Sequence, residues 1–186
     1  MNCIYSIGHS NKTVEELIRE LRLYGINYLI DVRSMPYSKY QPQFNREQFQ
    51  AAINKTGDIT YVYMGDVIGG LPANSACYTD GKVGYGKIRA MEFFQKGLER
   101  LINANNKNIK VCLMCSEGDP HMCHRSKLIG EALLEHDIIV QHICADHSGN
   151  ITLKSQIDVI NELNNGNNVL DLFGGLETFT SRNRYK

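Results

Sequence analysis

Twenty lysines and arginines cancel twenty aspartates and glutamates in this 186-residue chain, so no global field favours nucleic acid or an anionic membrane. At 42% hydrophobic residues, the length suits one compact domain with a sizeable core. No apolar run reaches the roughly 18 residues that span a bilayer. The start, MNCIYSIGHSN, lacks the charged and apolar regions of a signal peptide, so the expected location is the cytoplasm. Six cysteines (Cys3, Cys77, Cys112, Cys115, Cys123, Cys144) are scattered along the chain. In a reducing compartment they read as thiols, metal ligands or catalytic groups rather than a disulfide framework.

Cys3–Ile7 is a short β-rich run stopped by Gly8 and predicts the first strand. Thr13 and Glu16 have capping-box spacing before VEELIRELRLYG, whose Val14, Leu17, Ile18 and Leu21 mark a helix face, and Gly25 is the expected cap. Tyr28–Arg33 predicts a second strand, apolar enough to be covered on both faces. Ser34–Phe44, with two prolines and three aromatics, is a loop. Asn45 then caps a helix from Arg46 to about Lys55, and Ile59–Met64 is the third strand. Gly65 to about Lys87, rich in Gly and Tyr, reads as a long, partly ordered binding loop.

An amphipathic helix follows over about Arg89–Ile102, and Ile109–Cys115 is the fourth strand. His124–His136 predicts a helix with Leu128, Ala132 and Leu133 buried; Ile138–Ile143 is the fifth strand, and Leu153–Leu163 a last helix. Asn164–Asn168 is a low-complexity linker, and Val169–Lys186 reads as a tail. The expected organisation is therefore a Rossmann-like α/β domain over residues 1–163 and a polar C-terminal tail over 164–186. Five strands alternating with helices predict a single, doubly wound, mainly parallel five-stranded sheet with helices on both faces. Right-handed crossovers bring every strand's carboxyl end to one edge. That edge collects Gly8–Asn11, Asp31–Ser34, Met64–Gly70, Cys115–Asp119 and Cys144–His147, whose polar residues predict one cleft.

The most informative stretch is Val111–Gly130, VCLMCSEGDPHMCHRSKLIG. Cys112 and Cys115 form a C-x2-C pair, yet residues three apart on a strand face opposite ways. Cys112 is therefore expected in the core and Cys115 toward the cleft. Cys115 and Cys123 could offer two thiolates to zinc, with His124, His142, Cys144 or His147 completing a tetrahedron, but the spacing matches no standard zinc pattern. The expectation is therefore no metal and no other cofactor; were zinc bound, Cys115, Cys123 and His124 would hold it. Cys123, His124 and Arg125 open a helix, where unpaired amides and an arginine fork suit a phosphate or carboxylate. The same position activates Cys123 as a nucleophile. Alternatively, Arg125 only braces the turn through Asp119 or Glu117. The order DVR, then a cysteine loop, is similar to rhodanese and cysteine-phosphatase domains, which need Cys and Arg six apart. His121 stands six after Cys115 and Ile129 six after Cys123, so that anion cradle is missing.

Several blocks together resemble a widespread bacterial family, domain of unknown function 488. They are SIGHSN (6–11), DVRSMPYSKYQPQFN (31–45), IGGL (68–71), LMCSEGDPHMCHR (113–125) and VQHI (140–143), and they cover roughly residues 4 to 145. The resemblance implies a Rossmann-like domain with these blocks converging. For activity it implies N-glycosidic chemistry on nucleic acid or nucleotides.

With that lead, Glu117 is the carboxylate best placed to stabilise an oxocarbenium-like centre or act as nucleophile. His9 is expected to assist as acid, base or donor. Asp31 and Arg33 either fix a ribose or phosphate or form a scaffold pair. Asn11 and Asn45 join the substrate-binding set, Asn45 doubling as a helix cap. Tyr37, Tyr40 and Phe44 either stack a base or pack their own loop. The leading expectation is thus a hydrolase of nucleotide or nucleic-acid bases, with catalytic Glu117, His9, Cys115 and Cys123 and anion-binding His124 and Arg125. Cysteine-based or metal-dependent chemistry, and a non-catalytic nucleotide-binding module, are the alternatives. In the tail, Val169–Phe173 (VLDLF) resembles the motif that docks bacterial proteins on the DNA sliding clamp, without its initial Gln; packing of this segment onto the domain is the competing reading. No membrane partner is expected.

Overall fold

The computed structural model describes residues 4–146, 148–163 and 179–185. Cys3, His147, the 164–168 linker and the Val169–Phe173 motif lie outside the described residues.

Strand β1 is Ile4–Gly8. Helix α1, Val14–Leu23, opens with the expected capping box: the Thr13 hydroxyl accepts from the Glu16 amide at 3.1 Å, and the Glu16 carboxylate accepts from the Thr13 amide at 2.8 Å. Gly25, at φ +64°, turns the chain out of it. Then come β2 (Tyr28–Asp31), α2 (Arg46–Asn54) and β3 (Thr60–Tyr63). The long interval after β3 holds a small hairpin, β4 (Tyr78–Thr79) and β5 (Lys82–Val83), turned by Asp80 and Gly81 at φ 49° and 78°. Helices α3 (Tyr85–Arg89) and α4 (Glu92–Asn106) lead to β6 (Val111–Cys115). The helix expected over His124–His136 begins as π-helix, Arg125–Gly130, and continues as α5, Glu131–Leu134. Strand β7 is Gln141–Ala145.

The sheet has six strands, not five. Ile151–Ser155 forms β8, antiparallel to β7, and only Gln156–Leu163 is the last helix, α6. The Asp146 carboxylate accepts from the Ser148 and Asn150 amides, both at 2.8 Å, and folds the turn that makes this hairpin. Beyond it the chain returns: Phe179–Tyr185 lies along the β4–β5 hairpin, with the Tyr85 amide donating to the Phe179 carbonyl and the Ser181 amide to that of Val83. Among the described residues no helix is long and apolar enough to cross a membrane.

The sheet order is β3-β2-β6-β1-β7-β8, parallel except for β8. One core face joins Leu17 and Leu21 of α1 and Phe49 and Ile53 of α2 to Ile7, Leu29, Cys112 and Met114. The other joins Phe94, Leu98 and Leu101 of α4 and Leu128, Ala132 and Leu133 to Ile4, Ile30, Leu113 and Cys115. Cys112 and Cys115 thus belong to opposite faces, as alternation along a strand requires.

This order sets where ligands can sit. The chain leaves β1 and β2 toward β3 along the α1–α2 face, and leaves β3 and β6 toward β7 along the other. Two crevices result at the carboxyl ends, where neighbouring connections diverge. One lies between β2 and β6 and the other between β1 and β7. Between β6 and β1 the connections must instead cross, and there the chains nearly touch. A Cβ on Gly8 would overlap the Glu117 carbonyl, so glycine is the residue that lets the crossing close.

Candidate functional site

Each crevice is a pocket. The β2–β6 pocket, about 180 Å³, is lined by Arg33, Ser34, Met35, Gly70, Cys115, Ser116, Glu117, Cys123 and His124, and by Arg182, Asn183 and Tyr185 of the returning segment. The β1–β7 pocket takes Ser10, Asn11 and Lys12 from one side and Cys144, Ala145 and Asp146 from the other. The edge predicted as one cleft is therefore two, parted by the loop that carries Gly118 and Asp119. Asn11 faces the second pocket, away from Glu117.

At the floor of the first pocket, Cys115 ends β6, and Cys123 and His124 open the π-helix. Cys123 has extended backbone (φ −118°, ψ 147°), whereas His124 is already helical (φ −65°, ψ −15°). That change of conformation lets two successive side chains converge. His124 Nδ1 stands 3.9 Å from Cys115 Sγ and 3.8 Å from Cys123 Sγ. Its Nε2 lies 3.1 Å from the Val32 carbonyl. A carbonyl only accepts, so Nε2 carries the proton and the Nδ1 lone pair faces the thiols.

Cys123 is the thiol poised to ionise. Burial opposes its charge, but the Cys115 thiol and the Arg125 guanidinium hold it well below the ordinary cysteine range. Arg125 Nε donates to its sulfur at 3.2 Å. Cys115 is pushed the opposite way, because its proton is shared toward Cys123 and it is buried.

Arg125 itself is 1% exposed and does not line the pocket. Its Nη1 donates to Ser6 Oγ at 3.1 Å, and its Nη2 to the Glu117 and Gly118 carbonyls at 2.7 and 3.4 Å. The fork thus grips the turn by its backbone, rather than through the Asp119 or Glu117 carboxylates, and does not open to a ligand. Behind it, Ser6 Oγ meets His142 Nδ1 at 2.6 Å, and His142 Nε2 meets Gln156 Oε1 at 2.7 Å. His142 is fully buried in this network and does not line the pocket; burial and Arg125 lower its pKa to about 4.

Asp31 and Arg33 form a buried pair at 2.6 Å. Arg33 also donates to the Phe44 carbonyl at 2.8 Å, and its Nη1 is 3.3 Å from His9 Nε2; Tyr61 adds a hydroxyl to Asp31 at 2.7 Å. His9 stacks on Phe44 at 4.1 Å between centroids, and its Nδ1 meets the Ser10 carbonyl at 3.0 Å. Burial and Arg33 lower its pKa to about 4, so at neutral pH it is an uncharged strut. Asn45 precedes α2, but its side chain accepts from the Ser38 amide at 2.7 Å rather than capping the helix. Tyr37 donates to Glu47 at 2.7 Å, and Tyr40 is exposed.

Of the residues singled out from sequence, Arg33, Cys115, Glu117, Cys123 and His124 meet in one pocket. His9, Asp31 and Arg125 support its walls from behind, and Asn11 and Asn45 lie elsewhere. Glu117 is exposed, and its carboxylate has no partner among the described residues. Ser34, at a strand end expected to face the cleft, does line the pocket, whereas sequence reasoning missed Arg182, Asn183 and Tyr185. The basic-aromatic pattern of SRNRYK was the available hint for these three.

Fold and site define a mainly parallel α/β protein with a thiol–imidazole cluster at the divergence of two neighbouring strands. Residues 13–132 match the family model described as Domain of unknown function DUF488, and the chain belongs to that family. Comparison with curated proteins and with solved structures gave no match.

Proposed function

We propose that the β2–β6 pocket is the active site of a cytoplasmic enzyme that hydrolyses a bond to a nucleotide or nucleic-acid base, N-glycosidic cleavage being the reading that fits its groups best. The observation that carries this is the Glu117 carboxylate, unpartnered at the mouth of a pocket that Arg33 and Arg182 also line. A carboxylate in that position stabilises positive charge developing on a sugar carbon or aligns the attacking water. The size bounds the substrate. About 180 Å³ is below the ~300–1,000 Å³ of sites that enclose drug-sized ligands. It suits a single ring, with the rest of the substrate outside, where Arg182 and Asn183 favour phosphate. In this reading the fold is Rossmann-like in architecture, although β6 separates the first two strands, unlike the usual dinucleotide-binding order.

The second reading, cysteine-based chemistry, is favoured by the Cys123 sulfur, which accepts from the Arg125 guanidinium at 3.2 Å and lies 3.8 Å from His124 Nδ1. One experiment separates them. Purified protein is incubated with nucleosides, nucleotides and short single-stranded DNA, and base release is followed for wild type, Glu117→Gln and Cys123→Ser. Loss of turnover by ~100-fold or more in Glu117→Gln alone supports the carboxylate mechanism, since one acid–base group typically contributes ~100–10,000-fold. Loss confined to Cys123→Ser moves the chemistry to the thiol. Full activity in Glu117→Gln sinks the first reading.

A further inference from the structure

We propose that Cys115, Cys123 and His124 form a three-ligand site for a thiophilic divalent metal, zinc in the first instance, with its fourth position open to the β2–β6 pocket. This goes beyond the reaction suggested above and does not depend on it.

The geometry is that of one tetrahedral face. The two sulfurs and Nδ1 all lie within 4.8 Å of one another, with the two nitrogen–sulfur edges at 3.8 and 3.9 Å. Ligands ~2.0–2.3 Å from a tetrahedral zinc stand ~3.5–3.8 Å apart. Small side-chain rotations therefore bring the three atoms onto a metal without moving the backbone. All three residues also line the pocket. Three protein ligands with a free position are the pattern of catalytic rather than structural zinc.

The surroundings match what a metal ligand set needs. A coordinating imidazole uses one nitrogen for the metal and gives the other N–H to an acceptor. His124 does this through Nε2 and the Val32 carbonyl. Two thiolates on a divalent ion leave their outer lone pairs seeking donors. Cys123 Sγ has the Arg125 amide at 3.5 Å and the guanidinium at 3.2 Å. Two soft sulfurs and one imidazole favour zinc, or another thiophilic ion, over magnesium or calcium. The competing fate of two close thiols is a disulfide between Cys115 and Cys123, and the test must tell the two apart.

The experiment uses the full chain, reduced and freed of metal, titrated with cobalt(II) and then zinc. The expected result is a sulfur-to-cobalt charge-transfer band with intense tetrahedral d–d bands. It saturates at one equivalent per chain and is displaced by zinc. Cys115→Ser, Cys123→Ser and His124→Ala each weaken uptake by at least ~10-fold, whereas Cys144→Ser, whose thiol faces the other pocket, leaves it unchanged. Should a variant fail to fold by circular dichroism, the wild type alone still decides: zinc must protect two thiols from a thiol reagent under native conditions. Absence of the charge-transfer band overturns the proposal. So does uptake that survives the Cys115→Ser/Cys123→Ser double variant, or two thiols that zinc leaves fully reactive.

Discussion

Gly70 owes its place to His124: a Cβ on Gly70 would stand 2.9 Å from the imidazole Cγ and 3.1 Å from Nδ1. The block IGGL after β3 is therefore a mould for the ring that faces both thiols. Gly70→Ala is expected to tilt the imidazole, strain its bond to the Val32 carbonyl and spoil its aim. Overpacking of this kind costs ~1–3 kcal/mol, and loss of aim in a metal ligand's support costs ~10–100-fold in affinity. Cobalt affinity should thus fall at least ~10-fold in a variant that remains folded. Unchanged affinity would show that the ring position is not set by this contact.

Gly8 meets something less yielding. An added Cβ would overlap the Glu117 carbonyl and crowd the Gly118 Cα, all backbone atoms, at the point where the β1 and β6 connections cross. Neither side can rotate away. Gly8→Ala is expected to cost more than ~2 kcal/mol in urea unfolding, while Gly84→Ala, whose Cβ would meet only ordinary contacts, stays within ~0.5 kcal/mol. Equal stability of the two variants would contradict the crossing.

Much of this was legible because local signals and tertiary structure agree. The Thr13–Glu16 capping box, the apolar runs of β2 and β6 and the opposed faces of Cys112 and Cys115 follow from spacing alone. What escaped has identifiable causes. Asp80–Gly81 is a hairpin dipeptide, but its flanking strands are two residues each and leave no alternation to read. Ile151–Ser155 became a strand because the Asp146 turn pairs it with β7; its apolar residues merge smoothly into those of α6. The strand order is not written locally at all, and with it goes the division of one cleft into two. Arg125 illustrates the same limit, since a Cys-His-Arg run at a helix start reads as an open anion site. Only the tertiary fold shows that the loop carbonyls have claimed the guanidinium.

That claim predicts a structural role for Arg125. No carboxylate among the described residues pairs with it; its partners are two carbonyls, Ser6 and the Cys123 sulfur. Arg125→Leu leaves these buried groups without a donor, each worth ~1–3 kcal/mol when unsatisfied. A loss of ~3–5 kcal/mol is expected, as for breaking a buried charged contact. Arg125→Lys should fall between, since one ammonium cannot reach all the acceptors of a planar fork. Chemical denaturation midpoints measure this. A leucine variant as stable as wild type would return Arg125 to the role of ligand fork.

Glu131, remote from both pockets, gives a pH signature. It is 2% exposed, and neither carboxylate oxygen has a hydrogen-bond partner among the described residues. Arg89 is 3.6 Å away but is engaged by Glu135 at 3.0 Å. Burial, with repulsion from Glu135, lifts its pKa from 4.5 to about 7 despite Arg89. Between those values the folded protein holds a proton that the unfolded chain releases. Its contribution to stability is therefore complete below 4.5 and lost as pH rises through about 7. Glu131→Gln keeps the shape of the neutral acid and cannot ionise. The variant should melt close to wild type at about pH 4.5 and be more stable by ~1–3 kcal/mol at about pH 8. Melting curves across that range decide it: parallel pH profiles for the two proteins would mean that Glu131 is ionised in the fold, with Arg89 as its true partner.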